Sequence, residues 1–241
     1  MAKHGKKYLA VKAKVDENTF YQPKEALQLV KDTAYTSFDS SVEVHMRMGL
    51  DPRQADQQLR DVVILPHGLG KTVRVLVFAQ GEAAAIAKTA GADFVADDDE
   101  WIKKIEGGWA DFDVAISTPD MMGKAGRLGK VLGPRGLMPN PKAGTVVSAD
   151  NLARTIEESK AGRIEFRLDK TANVHCTIGK ASFDVDKLHD NFRALMNAIR
   201  KSKPAAAKGT YLKKICVAAT MGPGVKVDAN AALGVDKAKE A

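Results

Sequence analysis

The chain has only two cysteines in 241 residues, Cys176 and Cys216, too few for a disulfide framework, and they form no CxxC pair. No apolar run approaches the roughly 20 residues needed to cross a bilayer. The lysine-rich start, Met1 to Lys14, is followed by no apolar stretch, so no secretory signal is expected. A reducing cytoplasm is the expected compartment, with no membrane partner. There is no nucleophile elbow, no HExxH and no other catalytic constellation. Gly68–Leu69–Gly70–Lys71–Thr72 resembles the end of a phosphate-binding loop, but Leu65 stands where the first glycine is needed. The stretch also leads into an apolar strand rather than a helix, so an NTPase is excluded. Asp97–Asp98–Asp99–Glu100 lacks EF-hand spacing and reads instead as acids complementing a helix start. The two cysteines sit among alternating apolar residues and read as packed thiols. No cofactor and no metal site is expected.

What is present is ordinary for a folded protein, with 44% hydrophobic and 28% charged residues and chain enough for one or two domains. The net charge of +7 is unevenly spread. Residues 1–67 carry +1, residues 68–159 carry −2 and residues 160–241 carry +8. A basic balance points to polyanions, nucleic acid first, or to a solvated lysine surface.

The pattern of the chain changes with the charge. Pro23 opens a helix with Leu27, Val30 and Ala34 on one stripe. From Ser41 to Leu50, Val42, Val44, Met46 and Met48 alternate with Glu43, His45 and Arg47, as in a half-buried strand. Asp61–Leu65 is a second strand. After Gly68 come an apolar strand (72–79), an alanine-rich helix (82–90), a strand (93–96), a helix (101–106), a strand (113–117) and a closing helix (151–160). That order is the grammar of parallel βαβ units. Alternation then returns: Ile164, Phe166 and Leu168 are expected to form an antiparallel hairpin with Val174, Cys176 and Ile178. An amphipathic helix follows through Leu188, Phe192, Leu195, Met196 and Ile199. A last strand runs from Leu212 to Met221, and the tail from Asp228 is expected to fray. The fold class is therefore mixed α/β (α+β) in two domains. Residues 1–67 and 160–241 form a discontinuous α+β sandwich with an antiparallel sheet. Residues 68–159 form an inserted, parallel, three-layer Rossmann-like domain. Pro66–His67–Gly68 and Ala161–Gly162 are the expected hinges.

Three places outside any catalytic pattern invite binding. Phe38 stands among small polar residues before a strand, where it either packs locally or presses on a sugar or base. Thr220–Met221–Gly222–Pro223–Gly224 makes a compact turn that another backbone can approach. Asp169–Lys170–Thr171 offers a cation and hydrogen-bonding groups at a loop tip, or is an ordinary turn.

Leu132–Gly133–Pro134–Arg135–Gly136–Leu137–Met138–Pro139–Asn140–Pro141–Lys142–Ala143–Gly144–Thr145 resembles the signature of the bacterial large-subunit ribosomal protein L-one family, the family of the mobile stalk. Leu65–Lys71, Ala161–Arg167, Gly179–Phe183 and Thr220–Pro223 fall in the family's order, so the resemblance covers nearly the whole chain. It implies a discontinuous first domain, with an inserted second one, that binds 23S rRNA of the large subunit through Phe38, Ser41, Glu43, Asp169, Lys170, Thr171, His175, Thr220, Met221 and Gly222. Phe38 and Met221 would supply apolar contact, Thr220 and Glu43 hydrogen bonds, Lys170 a phosphate contact, and Gly222 close backbone approach. Family members often carry a lysine before the aromatic; Ser37 stands there in this chain. The resemblance further implies help in releasing exit-site tRNA and repression of the chain's own operon through its mRNA, by a protein that is monomeric when free. Secondary RNA contacts are expected from Lys124, Arg127, Lys130 and Arg135. Two other readings compete: an α/β enzyme using the glycine-rich stretch 123–144, and a structure-indifferent RNA chaperone.

Overall fold

The computed structural model describes residues 4–234. Its helices are α1 (Lys6–Lys12), α2 (Pro23–Asp32), α3 (Glu82–Thr89), α4 (Asp99–Glu106), α5 (Met122–Arg127), α6 (Gly129–Leu132), α7 (Ala149–Ala161), α8 (Val185–Lys201) and α9 (Ala229–Leu233). Its strands are β1 (Ser41–Met48), β2 (Arg60–Ile64), β3 (Val75–Phe78), β4 (Phe94–Ala96), β5 (Val114–Ser117), β6 (Arg163–Arg167), β7 (Asn173–Lys180), β8 (Leu212–Ala219) and β9 (Val225–Val227). They fall into two compact units: Lys71–Arg163, and the described residues on either side of that segment.

The unit made from both chain ends is built on an antiparallel sheet of order β7-β1-β8-β9. Alternation decides how it packs. Val42, Val44, Met46 and Met48 of β1 are buried with Val174, Cys176 and Ile178 of β7 and Ile215, Val217 and Ala219 of β8. Against that face lie α2 and α8. Leu188, Phe192, Leu195, Met196 and Ile199 of α8 are buried as their helical spacing requires, and burying each such side chain contributes roughly 1.5–3 kcal/mol. Asn191 shares this apolar stripe and is fully buried. Its amide donates to the carbonyls of Ile178 (2.7 Å) and Gly68 (3.0 Å), and its oxygen accepts from the His67 amide (3.0 Å). The buried polar group is thereby satisfied and ties the 67–68 segment to α8 and β7.

Three expectations need correction here. The hairpin of residues 163–178 does not form: β6 pairs with β2 in a separate two-stranded sheet, while β7 joins β1. The Leu168–Val174 bridge and the bond from the Asp169 amide to the Asn173 carbonyl (2.8 Å) join the two stretches beside the turn. The Leu168 amide instead donates to the Leu59 carbonyl (2.9 Å). Alternation assigns faces, not partners. The last strand ends at Ala219, and Thr220 and Met221 lie in the turn leading to β9. The segment after Asp228 is ordered over α9: the Asp228 carboxylate caps it through the Asn230 amide (2.8 Å), and Ala229, Ala232 and Leu233 pack on the core. Met1–Lys3 and the tail beyond Gly234 lie outside the described residues.

The other unit has three parallel strands in the order β4-β3-β5. One face packs Val75 and Val77 with Ala84 and Ala87 of α3 and Leu152 and Ile156 of α7. The other packs Leu76 and Phe78 with Ile102 and Ile105 of α4, Ala125 of α5, Leu132 of α6 and Leu128 between those two helices. This is a helix–sheet–helix sandwich, and its strands are apolar on both faces for that reason. The Asp98 carboxylate caps α4 by accepting from the amides of Glu100 (3.1 Å) and Trp101 (3.2 Å), so this acidic run starts a helix. The strand expected over 72–79 is shorter, β3 covering only Val75–Phe78, and Lys71 before it is paired with Asp113 (3.1 Å). The mixed α/β class, with antiparallel strands in one unit and a parallel sheet in the other, is as expected.

Candidate nucleic-acid interface

The helices cover one face of the antiparallel sheet and leave the other open. On β1 this open face carries Ser41, Glu43, His45 and Arg47, the positions between the buried ones. Register then sets their neighbours. Glu43 lies between Thr177 of β7 and Ala218 of β8, His45 between His175 and Cys216, and Arg47 between Asn173 and Lys214. From Ser41 to Arg47 the strand extends roughly 20 Å. The ten residues implied by the resemblance gather along this line as two end clusters with Glu43 and His175 between them.

The first cluster is at the Ser41 end. The amide and hydroxyl of Thr220 both donate to the Ser41 carbonyl, at 2.9 and 3.2 Å. Lys180 donates to the Ser41 hydroxyl (3.1 Å). Phe38 is 55% exposed and does not pack locally. Its loop is nonetheless pinned: the Thr36 hydroxyl donates to the Phe38 carbonyl (2.9 Å), and the Ser182 amide and hydroxyl donate to the Asp39 carboxylate (3.1 and 2.8 Å). Met221 is 68% exposed, with φ at 67°. A non-glycine residue held there costs on the order of 1–3 kcal/mol. The Tyr35 hydroxyl, donating to the Met221 carbonyl (3.0 Å), and the Gly222 amide, donating to the Ala219 carbonyl (2.7 Å), hold the turn. Gly222 has a local reason to be glycine, since a Cβ would sit 3.1 Å from the Ala219 carbonyl oxygen. Two exposed apolar side chains on hydrogen-bonded backbone thus stand beside hydrogen-bonding groups, which suits contact with a flat base or sugar.

The second cluster is the 169–173 turn at the Arg47 end. The Asp169 carboxylate accepts from the amides of Thr171 (2.8 Å) and Asn173 (2.7 Å) and from the Thr171 hydroxyl (2.7 Å). Arg47 donates to the Thr171 carbonyl. Lys170 is exposed at the tip. Partial burial works to raise the Asp169 carboxyl, but the bonds from Asn173 and Thr171, with His175 nearby, outweigh it and bring it down to about 2. A folded value below the unfolded one stabilises the turn above about pH 4, and that contribution is lost as pH falls through about 2. NMR titration of the Asp169 carboxyl is expected to give a midpoint near 2, and an ordinary midpoint near 4 would show that the turn is not closed in solution.

In the middle of the face, the His45 and His175 rings meet edge to face with their Nδ1 atoms 2.8 Å apart. His45, Tyr35, Thr177 and Lys180 were not singled out from the sequence. The outward position of His45 beside Glu43 was visible, but its partner is given only by register.

The four secondary candidates lie in the parallel unit on or near α5 and α6. Lys124 is paired with Asp99 (2.9 Å), and Arg135 reaches the Gly108 carbonyl at 3.4 Å. Arg127 and Lys130 are exposed. Burial pushes the Cys176 thiol up to about 12 and raises Cys216. Among the described residues, no group of three or more His, Cys, Asp or Glu side chains is arranged to hold a metal ion. No helix there is long and apolar enough to cross a membrane.

The open sheet face presents exposed apolar and hydrogen-bonding groups flanked by Arg47, Lys170 and Lys214. Comparison with known proteins gives the class. The model of the ribosomal protein L1p/L10e family matches residues 30–223. The chain is 60% identical over 232 residues to the large ribosomal subunit protein uL1 of Chloroflexus aurantiacus, covering 96% of this chain and 98% of that protein. It is 60% identical over 228 residues to uL1 of Chloroflexus aggregans, covering 95% and 96%. The chain belongs to the ribosomal protein L1p/L10e family.

Proposed function

We propose that this protein is a non-enzymatic constituent of the large ribosomal subunit in the cytoplasm. It binds 23S rRNA at the mobile stalk through the open face of the antiparallel sheet. The observation that carries this reading is the pair of exposed, backbone-pinned apolar side chains, Phe38 and Met221, beside Ser41, Thr220 and Glu43. Family membership supports it. The unit made from the chain ends, residues 1–67 and 160–241, is the RNA-binding domain, and residues 68–159 are the inserted domain. Arg127 and Lys130, with Lys124 and Arg135, offer secondary contacts to exit-site tRNA, whose release the protein assists. The free monomer uses the same sheet face for the mRNA of its own operon and so represses translation once rRNA is saturated. One face cannot hold both RNAs, so repression by this route requires competition.

The test is a binding titration of a large-subunit stalk fragment against a scrambled hairpin of equal length over a range of salt. Preference for the stalk fragment by about 10³-fold or more is expected at physiological salt, with both affinities falling as salt rises. Equal affinity for the two RNAs would reduce the interaction to attraction by net charge and overturn the reading. Adding operon mRNA to the preformed rRNA complex should displace the rRNA; a ternary complex would remove the proposed repression mechanism.

A further inference from the structure

The middle of the open face holds an arrangement that neither the motifs nor the RNA reading requires. Four side chains stand in line. Glu43 Oε2 is 3.7 Å from His45 Nε2, His45 Nδ1 is 2.8 Å from His175 Nδ1, and His175 Nε2 is 3.6 Å from Asp169 Oδ2. The short central distance needs one proton between the two Nδ1 atoms, whichever ring carries it. Two protons there would point at each other. At the outer ends each Nε2 faces a carboxylate, which favours an N–H on both. Three protons on two rings keep the central hydrogen bond, turn an N–H on each Nε2 toward a carboxylate 3.6–3.7 Å away and give the pair one positive charge. With two protons, one Nε2 lone pair faces a carboxylate. With four, the central bond is broken.

From this geometry we infer that His45 is a positioning residue of the RNA face: it shares a single proton with His175, fixes that ring toward Asp169, and couples RNA binding to uptake of that proton. The inference rests on the RNA reading above. The other groups on this face are consistent with one proton and no more. Arg47 follows on β1, Lys214 and Cys216 flank it on β8, Lys226 stands opposite Cys216 on β9, and Lys170 is at the loop tip. These cations oppose further charging, and the two carboxylates favour the first. Burial lowers His45 from the ordinary imidazole value, the neighbouring His175 lowers it further, and Glu43 works against both. An RNA phosphate brought to this face prefers the charged pair. The pair's proton affinity therefore rises on binding, and RNA affinity rises as pH falls toward that of the free pair.

Two measurements test this. In the first, ring resonances of both histidines are followed by NMR through pH in the free, full chain, with His45→Asn and His175→Asn alongside and their folding checked by melting. In the wild type both rings should respond together to one uptake, with the second displaced by about one pH unit or more. In each variant the remaining histidine should titrate alone in a single step. Independent curves, unchanged by loss of the partner, would overturn the shared proton. In the second, stalk RNA is titrated at about pH 8 and about pH 6 at fixed ionic strength. The wild type should bind about three- to tenfold more tightly at the lower pH than can be matched by the change in the His45→Asn/His175→Asn double variant. An identical change in both proteins would overturn the coupling. If the wild type shows no preference for stalk RNA over the scrambled hairpin, the RNA reading itself has failed and the coupling falls with it; the ring titration still decides the shared proton.

Discussion

Met221→Asp is expected to cut the preference for stalk RNA by about 10–100-fold while leaving the fold intact. Met221 is two-thirds exposed and has positive φ. Aspartate tolerates that backbone region better than methionine does, and no buried contact is lost. The cost falls on binding. Burying the methionine side chain against a base contributes roughly 1.5–3 kcal/mol, and the new carboxylate faces a polyanion. A loss of about 10–100-fold in stalk affinity is expected, with the scrambled hairpin affected far less. Titration of both RNAs, with a melting curve as control, checks it. If the variant keeps its preference and its melting temperature, Met221 does not touch RNA and the interface must be centred elsewhere.

The second large effect is on stability. Asn191→Ala removes a fully buried amide that serves three backbone groups, the His67 amide and the carbonyls of Gly68 and Ile178. Each group left without a partner costs about 1–3 kcal/mol, and the lost side-chain volume adds to that. Where water reaches part of the site the penalty shrinks, so about 3 kcal/mol is expected in denaturant unfolding. Asn191→Leu should fare no better, because it fills the space and satisfies nothing. A loss under about 0.5 kcal/mol would mean that the three backbone groups find other partners.

Much of this architecture could be read from the chain, for definable reasons. Strand β1 was legible because one of its faces is buried and the other wet, which forces strict alternation. Helix α8 was legible because its stripe is nearly all apolar. Asn191 breaks that stripe, and a polar residue at a buried helical position is the signal that could have marked it. The pairing of β6 with β2 was not legible, since equal alternation on β6 and β7 says nothing of partners. The short α9 was missed because its small residues carry little periodic signal, although Asp228 is a good cap. At the interface, the exposed Phe38 and the 220–224 turn stood out by composition. The His45–His175 contact did not, because 130 residues separate the pair and only the register of β1 on β7 brings them together.

That register also orders events during synthesis. Strand β1 is made early, yet its neighbours are β7 and β8, which begin at Asn173 and Leu212. All of Lys71–Arg163, with its parallel sheet and both helical layers, emerges before either neighbour exists. The N-terminal strand must therefore wait, unpaired along both edges, while an entire unit is translated behind it. An unpaired strand with an apolar face is a template for wrong partners. The outward Glu43, His45 and Arg47 are also what keeps that waiting strand hydrated on one side.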